Sequence, residues 1–323
     1  MGLYAVSPGQ LLRLRHPRRS GRACYGSLMG RPDLLVVDLD GTLLGADGLV
    51  SRENAEAISR AEAAGLTCII ATGRTLSECQ HVLEAIEYGG PLIAASGSLL
   101  TDTAKRRTMD RLTITPELVE LVVQLVDGGD AVTMLLKDRC RVGVDYVLVG
   151  TRDLHPVSKW WFEATGATFQ RVDRIEDDPY PDDTVRIGAV GTPGEFAPMV
   201  DRLERALGER ILARHWEAVT SSAHAGELVH LLEVFHPQAD KWTMLQSHCR
   251  EAGFDTHRAA AVGDGLNDVL LIEQCGLGVA VENADHRVLA VADAVTDAHH
   301  QHGVAILIDD LLQGRLLLGG VRP

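Results

Sequence analysis

The sequence lacks the features that mark secreted and membrane-bound proteins. Its six cysteines are scattered, with no Cys-x-x-Cys pair and no regular spacing, which argues against a disulfide framework and predicts a reduced, cytoplasmic compartment. No apolar run approaches the ~18 residues of a membrane-spanning helix. The N-terminal segment also lacks the apolar core of a secretory signal. We therefore expect neither a membrane partner nor secretion.

Basic residues are scarce outside the N-terminus. The formal net charge is −14, and every acidic residue follows an Arg-rich, acid-free stretch at residues 1–30, so the rest of the chain is more acidic still. Nucleic-acid binding depends on Lys and Arg that neutralise phosphates, so we expect no nucleic-acid partner. An anionic substrate must then be attracted locally, by a cation or a lysine. Residues 1–30 are predicted to be a disordered or non-native extension outside the fold.

Strand and helix patterns alternate along the two ends of the remaining chain. Apolar runs at Leu34–Val37, Leu66–Ala71 and Pro91–Ala95 predict strands, and residues 51–64 have helical spacing. The same alternation resumes after Lys241, and we interpret Val304–Ile308 as the last strand. Such alternation predicts an α/β fold with a doubly wound parallel sheet of Rossmann type.

The middle of the chain has a different pattern of predicted elements. Residues 101–236 contain short strand patterns, such as Arg141–Val149, mixed with helical patches. We interpret this stretch as an α+β domain inserted into the first. The core is then expected to comprise residues 31–100 and 237–312, followed by a tail at 313–323.

The most informative motif is Asp38-Leu39-Asp40-Gly41-Thr42, which directly follows the strand pattern of Leu34–Val37. In open α/β sheets, ligands bind at the carboxyl ends of the strands. Two carboxylates this close repel each other unless a cation lies between them, and an oxygen-only site suits Mg²⁺. The alternative is an ordinary turn in which Asp38 caps the next helix.

Three further segments stand at predicted strand ends or at a helix start. They are Ala71-Thr72-Gly73-Arg74, Lys241, and Gly263-Asp264-Gly265-Leu266-Asn267-Asp268. Each has a plainer interpretation taken alone: Arg74 and Lys241 as solvated surface charges, and Asp268 as the cap of the helix that follows.

Together, in this order, the four segments resemble the haloacid-dehalogenase-like phosphatase superfamily. The long insert between the second and third segments is similar to the α/β cap of the Cof-type subfamily. The resemblance covers roughly residues 33 to 312. One departure is Ser96-Gly97, where the family often has Asn-Gly.

The resemblance implies a role for each acidic residue. Asp38 would attack phosphorus and form an aspartyl-phosphate. Asp40 would protonate the leaving group and then activate water. A Mg²⁺ ion would be held by the carboxylates of Asp38 and Asp264 and by the backbone carbonyl of Asp40. Asp268 would either bind the metal directly or orient the residues that bind it.

The resemblance also assigns the phosphoryl and substrate contacts. Thr72 would bind phosphoryl oxygens through its hydroxyl and Lys241 as a point charge. Asn267 would form hydrogen bonds within the site. Gly73 and Arg74 are further candidate contacts to phosphate or substrate.

The function implied is a Mg²⁺-dependent phosphomonoester hydrolase for small phosphorylated metabolites, sugar phosphates first. Two alternatives remain open: a sugar phosphomutase that uses the same aspartyl-phosphate, and a non-catalytic regulatory protein on the same fold. The presence of both Asp38 and Asp40 disfavours the regulatory protein. The sequence does not indicate an oligomeric state or a particular substrate.

Overall fold

A computed structural model describes residues 13–14, 30–126, 132–217, 228–318 and 320–321 of the chain. Within these ranges the strands are β1 (Arg13–Leu14), β2 (Leu34–Val37), β3 (Thr67–Ala71), β4 (Pro91–Ala94), β5 (Leu99–Asp102), β6 (Arg107–Arg111), β7 (Thr133–Lys137), β8 (Tyr146–Val149), β9 (Phe169–Val172), β10 (Thr184–Gly191), β11 (Leu212–Glu217), β12 (His230–Phe235), β13 (Ala259–Gly263), β14 (Leu277–Val281), β15 (Ala294–Thr296), β16 (Leu316–Leu317) and β17 (Gly320–Val321). The helices are α1 (Arg52–Ala63), α2 (Leu76–Ala85), α3 (Pro116–Val126), α4 (Arg139–Val142), α5 (Pro156–Thr165), α6 (Pro193–Leu207), α7 (Lys241–Ala252), α8 (Val269–Gln274), α9 (His286–Val291) and α10 (Gly303–Leu312). None of the helices in these ranges has both the length and the apolar character that a bilayer crossing requires.

The chain forms two compact units. The first comprises Met1–Thr72, His81–Leu92 and Leu245–Pro323, and the second comprises Gly73–Gln80 and Ile93–Met244. The long segment Ile93–Met244 of the second unit interrupts the first, as expected for a domain inserted into another, and the second unit also includes Gly73–Gln80. The domain bounds derived from the sequence stay a prediction.

The first unit is built on a parallel sheet. Strand β2 lies between β13 and β3 and runs parallel to both, and β14 and β15 continue the sheet beyond β13 in the same direction. Every residue of β2, β13 and β14 is buried, which is typical of parallel sheets covered on both faces. The predicted α/β class with a parallel sheet is confirmed.

Helix α1 shows why the predicted elements form where they do. Its N-cap is Ser51, whose side chain accepts a hydrogen bond from the amide of Asn54 at 3.2 Å. Gly65 follows the helix with φ +77°, a conformation that favours glycine. The buried face, Ala57, Ile58 and Ala61, repeats with helical spacing.

The second unit contains a six-stranded sheet with the order β11-β12-β10-β7-β8-β9. Its pairs are antiparallel except β8–β9. One face packs on α3 and α6 around a core that includes Ile187, Phe196, Leu203 and Val234. The hairpin β5–β6 belongs to the same unit.

The predicted strand at Val304–Ile308 was wrong, and the strand predicted at Arg141–Val149 is confirmed only for Tyr146–Val149. Val304–Ile308 lies within helix α10, and residues 141–142 end the short helix α4 rather than begin a strand. A short apolar run cannot distinguish a strand from a helix that is buried on several sides. Here His302 has φ +60°, and α10 then buries Val304, Leu307, Ile308 and Leu311.

Most of the predicted N-terminal extension lies outside the described residues. Its residues Arg13–Leu14 form β1, which pairs antiparallel with β15. In the predicted tail, β16 and β17 pair as an antiparallel hairpin.

Candidate active site

Three candidate site residues of the first unit follow three neighbouring parallel strands. Asp38 comes directly after β2, Thr72 directly after β3, and Asp264 directly after β13. The register pairs Val37 with Ile70 and with Val262, so the three strands end level with one another. Because parallel strands present their carboxyl ends at one edge, the sheet brings these three residues to the same rim.

Three carboxylates converge at this rim. Oxygen atoms of Asp38, Asp264 and Asp268 all lie within 4.8 Å of one another. Asp38 is 4% exposed and Asp268 is fully buried. Three negative charges at this distance in a mostly buried site repel strongly unless a cation is present. The donor set therefore fits a hard divalent cation bound through oxygen.

The backbone around Gly41 is shaped to leave room for Asp264. Gly41 has φ +73°, and a Cβ atom there would lie 2.3 Å from Oδ2 of Asp264. Only glycine meets both conditions. The position explains why the loop after Asp40 carries a glycine.

Two residues to which the sequence analysis assigned no role also stabilise the loops at this edge of the sheet. The buried hydroxyl of Thr42 donates to Oδ1 of Asp264 at 3.1 Å. The side-chain amide of Asn283 donates to the carbonyl of Gly41 at 2.8 Å, and its oxygen accepts from the amide of His299. Asn283 follows β14, so its position after a parallel strand was a signal that could have identified it.

Asp268 is held by the loop that precedes it. Its Oδ2 accepts hydrogen bonds from the amides of Asp264 at 3.3 Å and Gly265 at 3.0 Å. A Cβ atom at Gly263 would lie 2.5 Å from the Asp268 carboxyl carbon, so this glycine permits the close approach. Asp268 makes no side-chain capping bond to α8, and Asp38 makes none to the turn that follows it. The capping interpretation is wrong for both.

Asp40 and Asn267 lie on the same two loops as the three carboxylates. Both are half-buried. Asp40 is not a member of the three-carboxylate group found within the described ranges. Asp40 has an extended backbone, with φ −72° and ψ 123°, inside the turn Leu39–Leu43.

The other three candidates belong to the second unit. Lys241 begins α7 and is fully buried, so the prediction of a solvated surface charge as its alternative role was wrong. Asp240 accepts hydrogen bonds from the amide and hydroxyl of Thr243 and thereby caps this helix. A Cβ at Gly97, where φ is +97°, would lie 2.2 Å from the Asp240 carbonyl. Ser96-Gly97 therefore allows the backbone to approach the helix start closely.

Gly73 and Arg74 are fixed by a buried polar network in the second unit. Arg186 donates to the carbonyl of Gly73 at 3.4 Å and to the Tyr146 hydroxyl at 2.9 Å. Tyr146 in turn donates to Oε1 of Glu78 at 2.6 Å. Tyr146 and Glu78 are both buried. The loop is thus held by long-range contacts that no local pattern signals.

The side chain of Arg74 packs against an aromatic ring. Its guanidinium lies 5.6 Å from the ring centroid of Trp161, a cation–π distance. The Trp161 indole donates to Oε1 of Glu78 at 2.9 Å. These contacts make Arg74 a partly ordered cation rather than a freely solvated one.

The family model for haloacid dehalogenase-like hydrolases matches residues 35–308. The chain is 27% identical over 274 residues to the 5-amino-6-(5-phospho-D-ribitylamino)uracil phosphatase of Bacillus subtilis, covering 84% of this chain and 92% of that protein. A haloacid dehalogenase-like hydrolase from Bacteroides thetaiotaomicron shares the fold with a TM-score of 0.73 at 23% identity, covering 87% of this chain and 100% of that one. A subclass IIB sugar phosphatase shares it with a TM-score of 0.68 at 18% identity, covering 86% and 98%. The predicted superfamily and subfamily are confirmed: this chain belongs to the haloacid dehalogenase-like hydrolases, as an enzyme of the Cof-type phosphatase subfamily.

Proposed function

We propose that this enzyme hydrolyses phosphate monoesters of small sugars or polyols through an aspartyl-phosphate on Asp38, with Mg²⁺ as cofactor. The observation that carries the proposal is the convergence of the Asp38, Asp264 and Asp268 carboxylates within 4.8 Å at the carboxyl edge of the parallel sheet. Three carboxylates grouped in this way can bind a cation next to the nucleophile Asp38.

The first half-reaction transfers the phosphoryl group to the protein. An oxygen of the Asp38 carboxylate attacks phosphorus, forming a new P–O bond while the bond to the substrate's ester oxygen breaks. Asp40 donates its proton to that leaving oxygen. The alcohol then departs with its proton, and Asp38 carries the phosphoryl group.

The second half-reaction returns the enzyme to its starting state. Asp40, now a carboxylate, takes a proton from a water molecule as this water attacks the phosphorus of the aspartyl-phosphate. The bond between phosphorus and the Asp38 oxygen breaks, and inorganic phosphate leaves. Each of the two aspartates is regenerated, so the proton count balances.

The remaining candidates bind and orient the phosphoryl group. We assign the Thr72 hydroxyl and the Lys241 ammonium to its oxygens, with Gly73, Arg74 and Asn267 as further contacts. Asp38, Asp264 and the Asp40 carbonyl would hold Mg²⁺, and Asp268 orients the metal-binding loop through the amides of Asp264 and Gly265. When bound, Mg²⁺ supplies positive charge that offsets the negative charge on the phosphoryl oxygens.

The substrate class rests on the relatives. The Bacillus subtilis relative acts on a phosphorylated ribityl compound, and the subclass IIB sugar phosphatase shares the fold. Both names describe phosphate esters of polyhydroxylated carbon chains. We infer the same class here, with a cytoplasmic location that follows from the scattered cysteines.

The proposal is tested by a screen of phosphorylated metabolites for phosphate release, with Mg²⁺ and with a chelator. We expect hydrolysis of sugar or polyol phosphates that depends on the metal. Conversion of a hexose phosphate into its positional isomer without phosphate release would identify a phosphomutase instead. Absence of turnover with every ester in the presence of Mg²⁺ would contradict the proposal.

A further inference from the structure

Two histidines of the second unit are in contact across neighbouring strands of the six-stranded sheet. His215 belongs to β11 and His230 to β12, and their Nδ1 atoms lie 2.9 Å apart. Both side chains are half-buried, so solvent can still reach them. Neither residue belongs to the catalytic motifs, and the proposed phosphatase reaction makes no use of them.

A carboxylate projects from the same face of the sheet as the two histidines. In the antiparallel register Glu217 is directly opposite His230, and it follows His215 by two residues along β11. Side chains alternate along a strand, and directly opposite residues share a face, so all three side chains lie on one side. That side is the one that packs on α6, because Leu232, which is opposite His215, belongs to the core there.

The distance between the two ring nitrogens is that of a chelating pair. Imidazole nitrogens bind Zn²⁺ at about 2.0–2.1 Å, so two of them around one ion are about 2.9–3.4 Å apart for angles between 90° and the tetrahedral value. In the absence of an ion, one ring donates an N–H to the other at 2.9 Å. A metal ion can therefore replace this hydrogen bond through rotation of the rings, with the two strands in their present register.

The protonation of the pair also suits a metal ion, because metals bind unprotonated imidazole nitrogens. Burial, and then the neighbouring His230, lower the pKa of His215, so this ring is neutral over a wider pH range. When both Nδ1 atoms bind an ion, the ring that donated in the pair carries its proton on Nε2 instead. This exchange through solvent leaves both rings neutral and releases no net proton.

Glu217 has to turn towards the pair to become the third ligand. Among the described residues, the three aspartates are the only group of this size whose ligand atoms already converge. The Glu217 side chain is exposed, so it can change rotamer without disturbing packed neighbours. A second carboxylate lies nearby, since a Cβ atom at Gly191, directly opposite His230, would be 2.9 Å from Oε2 of Glu195. The two carboxylates favour a cation at this place on the sheet.

We propose that His215, His230 and Glu217 form a second metal site, which binds a divalent transition-metal ion such as Zn²⁺. Imidazole ligands favour Zn²⁺, Ni²⁺ and Cu²⁺, whereas Mg²⁺ prefers oxygen ligands, so the site differs in selectivity from the aspartate cluster. The ion joins β11, an edge strand of the described sheet, to β12 and so stabilises the second unit. The competing interpretation is a histidine pair that forms a hydrogen bond and binds no ion.

Titration calorimetry with Zn²⁺ tests the site in the full-length protein, in a buffer that contains excess Mg²⁺. His215→Gln or His230→Gln should weaken the tightest Zn²⁺ site by about 100-fold or more, because a direct ligand matters more than a supporting residue, whose loss costs about 10- to 100-fold. Glu217→Gln should weaken it less, since the amide oxygen that replaces the carboxylate is a poorer but still possible ligand. Asp38→Asn should leave this affinity unchanged, which separates the site from the aspartate cluster.

The matched controls are His286→Gln and Glu209→Gln, which make the same chemical changes at exposed positions outside the site. Neither should change the affinity for Zn²⁺. The thermal midpoint of unfolding should rise with Zn²⁺ in the wild type and in both controls, because an ion that binds the folded chain stabilises it. The same rise should be absent in His215→Gln and His230→Gln.

Ring-nitrogen NMR of the wild type gives a second readout, which stands even if a histidine variant does not fold. Zn²⁺ should shift the Nδ1 resonances of His215 and His230 together, while both rings stay protonated at Nε2. Unchanged Nδ1 resonances, or equal Zn²⁺ affinity in the wild type and a folded histidine variant, would show that the pair forms only a hydrogen bond and that the inference is wrong. None of these measurements requires phosphate release, so the outcome is independent of the proposed function.

Discussion

The hydroxyl of Thr42 donates a hydrogen bond to Oδ1 of Asp264 at 3.1 Å, across 222 positions of sequence. This bond joins the loop after β2 to the loop after β13, and these are the two loops that carry the three-carboxylate cluster. A buried threonine thus orients a carboxylate that is far from it in the sequence.

We expect Thr42→Val to weaken Mg²⁺ binding at the proposed metal site. Valine has nearly the shape of threonine but cannot donate to Asp264, and losing such a supporting hydrogen bond typically lowers metal affinity or activity by about 10- to 100-fold. Titration calorimetry with Mg²⁺ measures the affinity directly. Thr42→Ser is the matched control, because it keeps the hydroxyl, and it should remain close to the wild type. Equal Mg²⁺ affinity in Thr42→Val and wild type would show that the bond is dispensable.

Asp38→Asn should abolish turnover while leaving the protein folded. An amide is not a competent nucleophile, so kcat should fall by about 10⁴-fold or more. Phosphate release and thermal unfolding are the two measurements. A folded variant with near-normal kcat would refute the assignment of the nucleophile.

Asp40→Asn should lower kcat without lowering the affinity for Mg²⁺. Its carboxylate is assigned to proton transfer and its backbone carbonyl to the metal, so kcat should fall by about 10²–10⁴-fold while Mg²⁺ affinity is retained. Substrates with a good leaving group, such as 4-nitrophenyl phosphate, depend less on general-acid catalysis. For these substrates the rate of the first half-reaction should fall less. Loss of both activity and Mg²⁺ binding would mean that the Asp40 carboxylate also binds the metal and that its assigned role is wrong.

Tyr146→Phe should destabilise the protein and disturb the Gly73–Arg74 loop. The Tyr146 hydroxyl links Glu78 to Arg186, and its removal leaves buried partners unsatisfied, which costs about 1–3 kcal/mol of unfolding free energy. Urea unfolding measures this loss. Tyr180→Phe, in the same unit but outside this network, should have a smaller effect. Similar losses for the two variants would argue against a special role for the network.

Asp310→Asn should change how stability depends on pH. Burial raises the pKa of Asp310, although Arg315 opposes the shift. The folded protein therefore keeps the proton over a pH range in which the unfolded chain has released it. The stabilising contribution of this group is present below its ordinary pKa and is lost as pH rises through the raised pKa.

The asparagine variant cannot titrate, so its unfolding free energy should fall less than that of the wild type as pH rises through this window. Urea unfolding at several values between pH 3 and 7 gives the comparison. Asp309→Asn is the neighbouring control, because Asp309 is half-buried and pairs with Arg60 instead. Parallel pH profiles for Asp310→Asn and the wild type would contradict the prediction.

The sequence by itself determined which acidic residues follow the strands of the parallel sheet. Asp38, Asp40 and Asp264 each belong to a motif that directly follows an apolar run, and such a run closed by Asp and Gly predicts a strand and its loop without any other information. Helices with local signals were equally predictable, as α1 with its Ser51 cap and α5 with its proline start show. Local patterns suffice here because the causes lie within a few residues of their effects.

Only the tertiary structure decided which distant groups support these residues. The bond from Thr42 to Asp264, the contact of Asn283 with Gly41 and the burial of Lys241 all depend on segments that are far apart in sequence. The helical state of α10 was decided in the same way, because an apolar run adopts the conformation that its surroundings can bury. Sequence patterns report periodicity and local turns, whereas these contacts arise only once the strands have paired in register and brought their ends together.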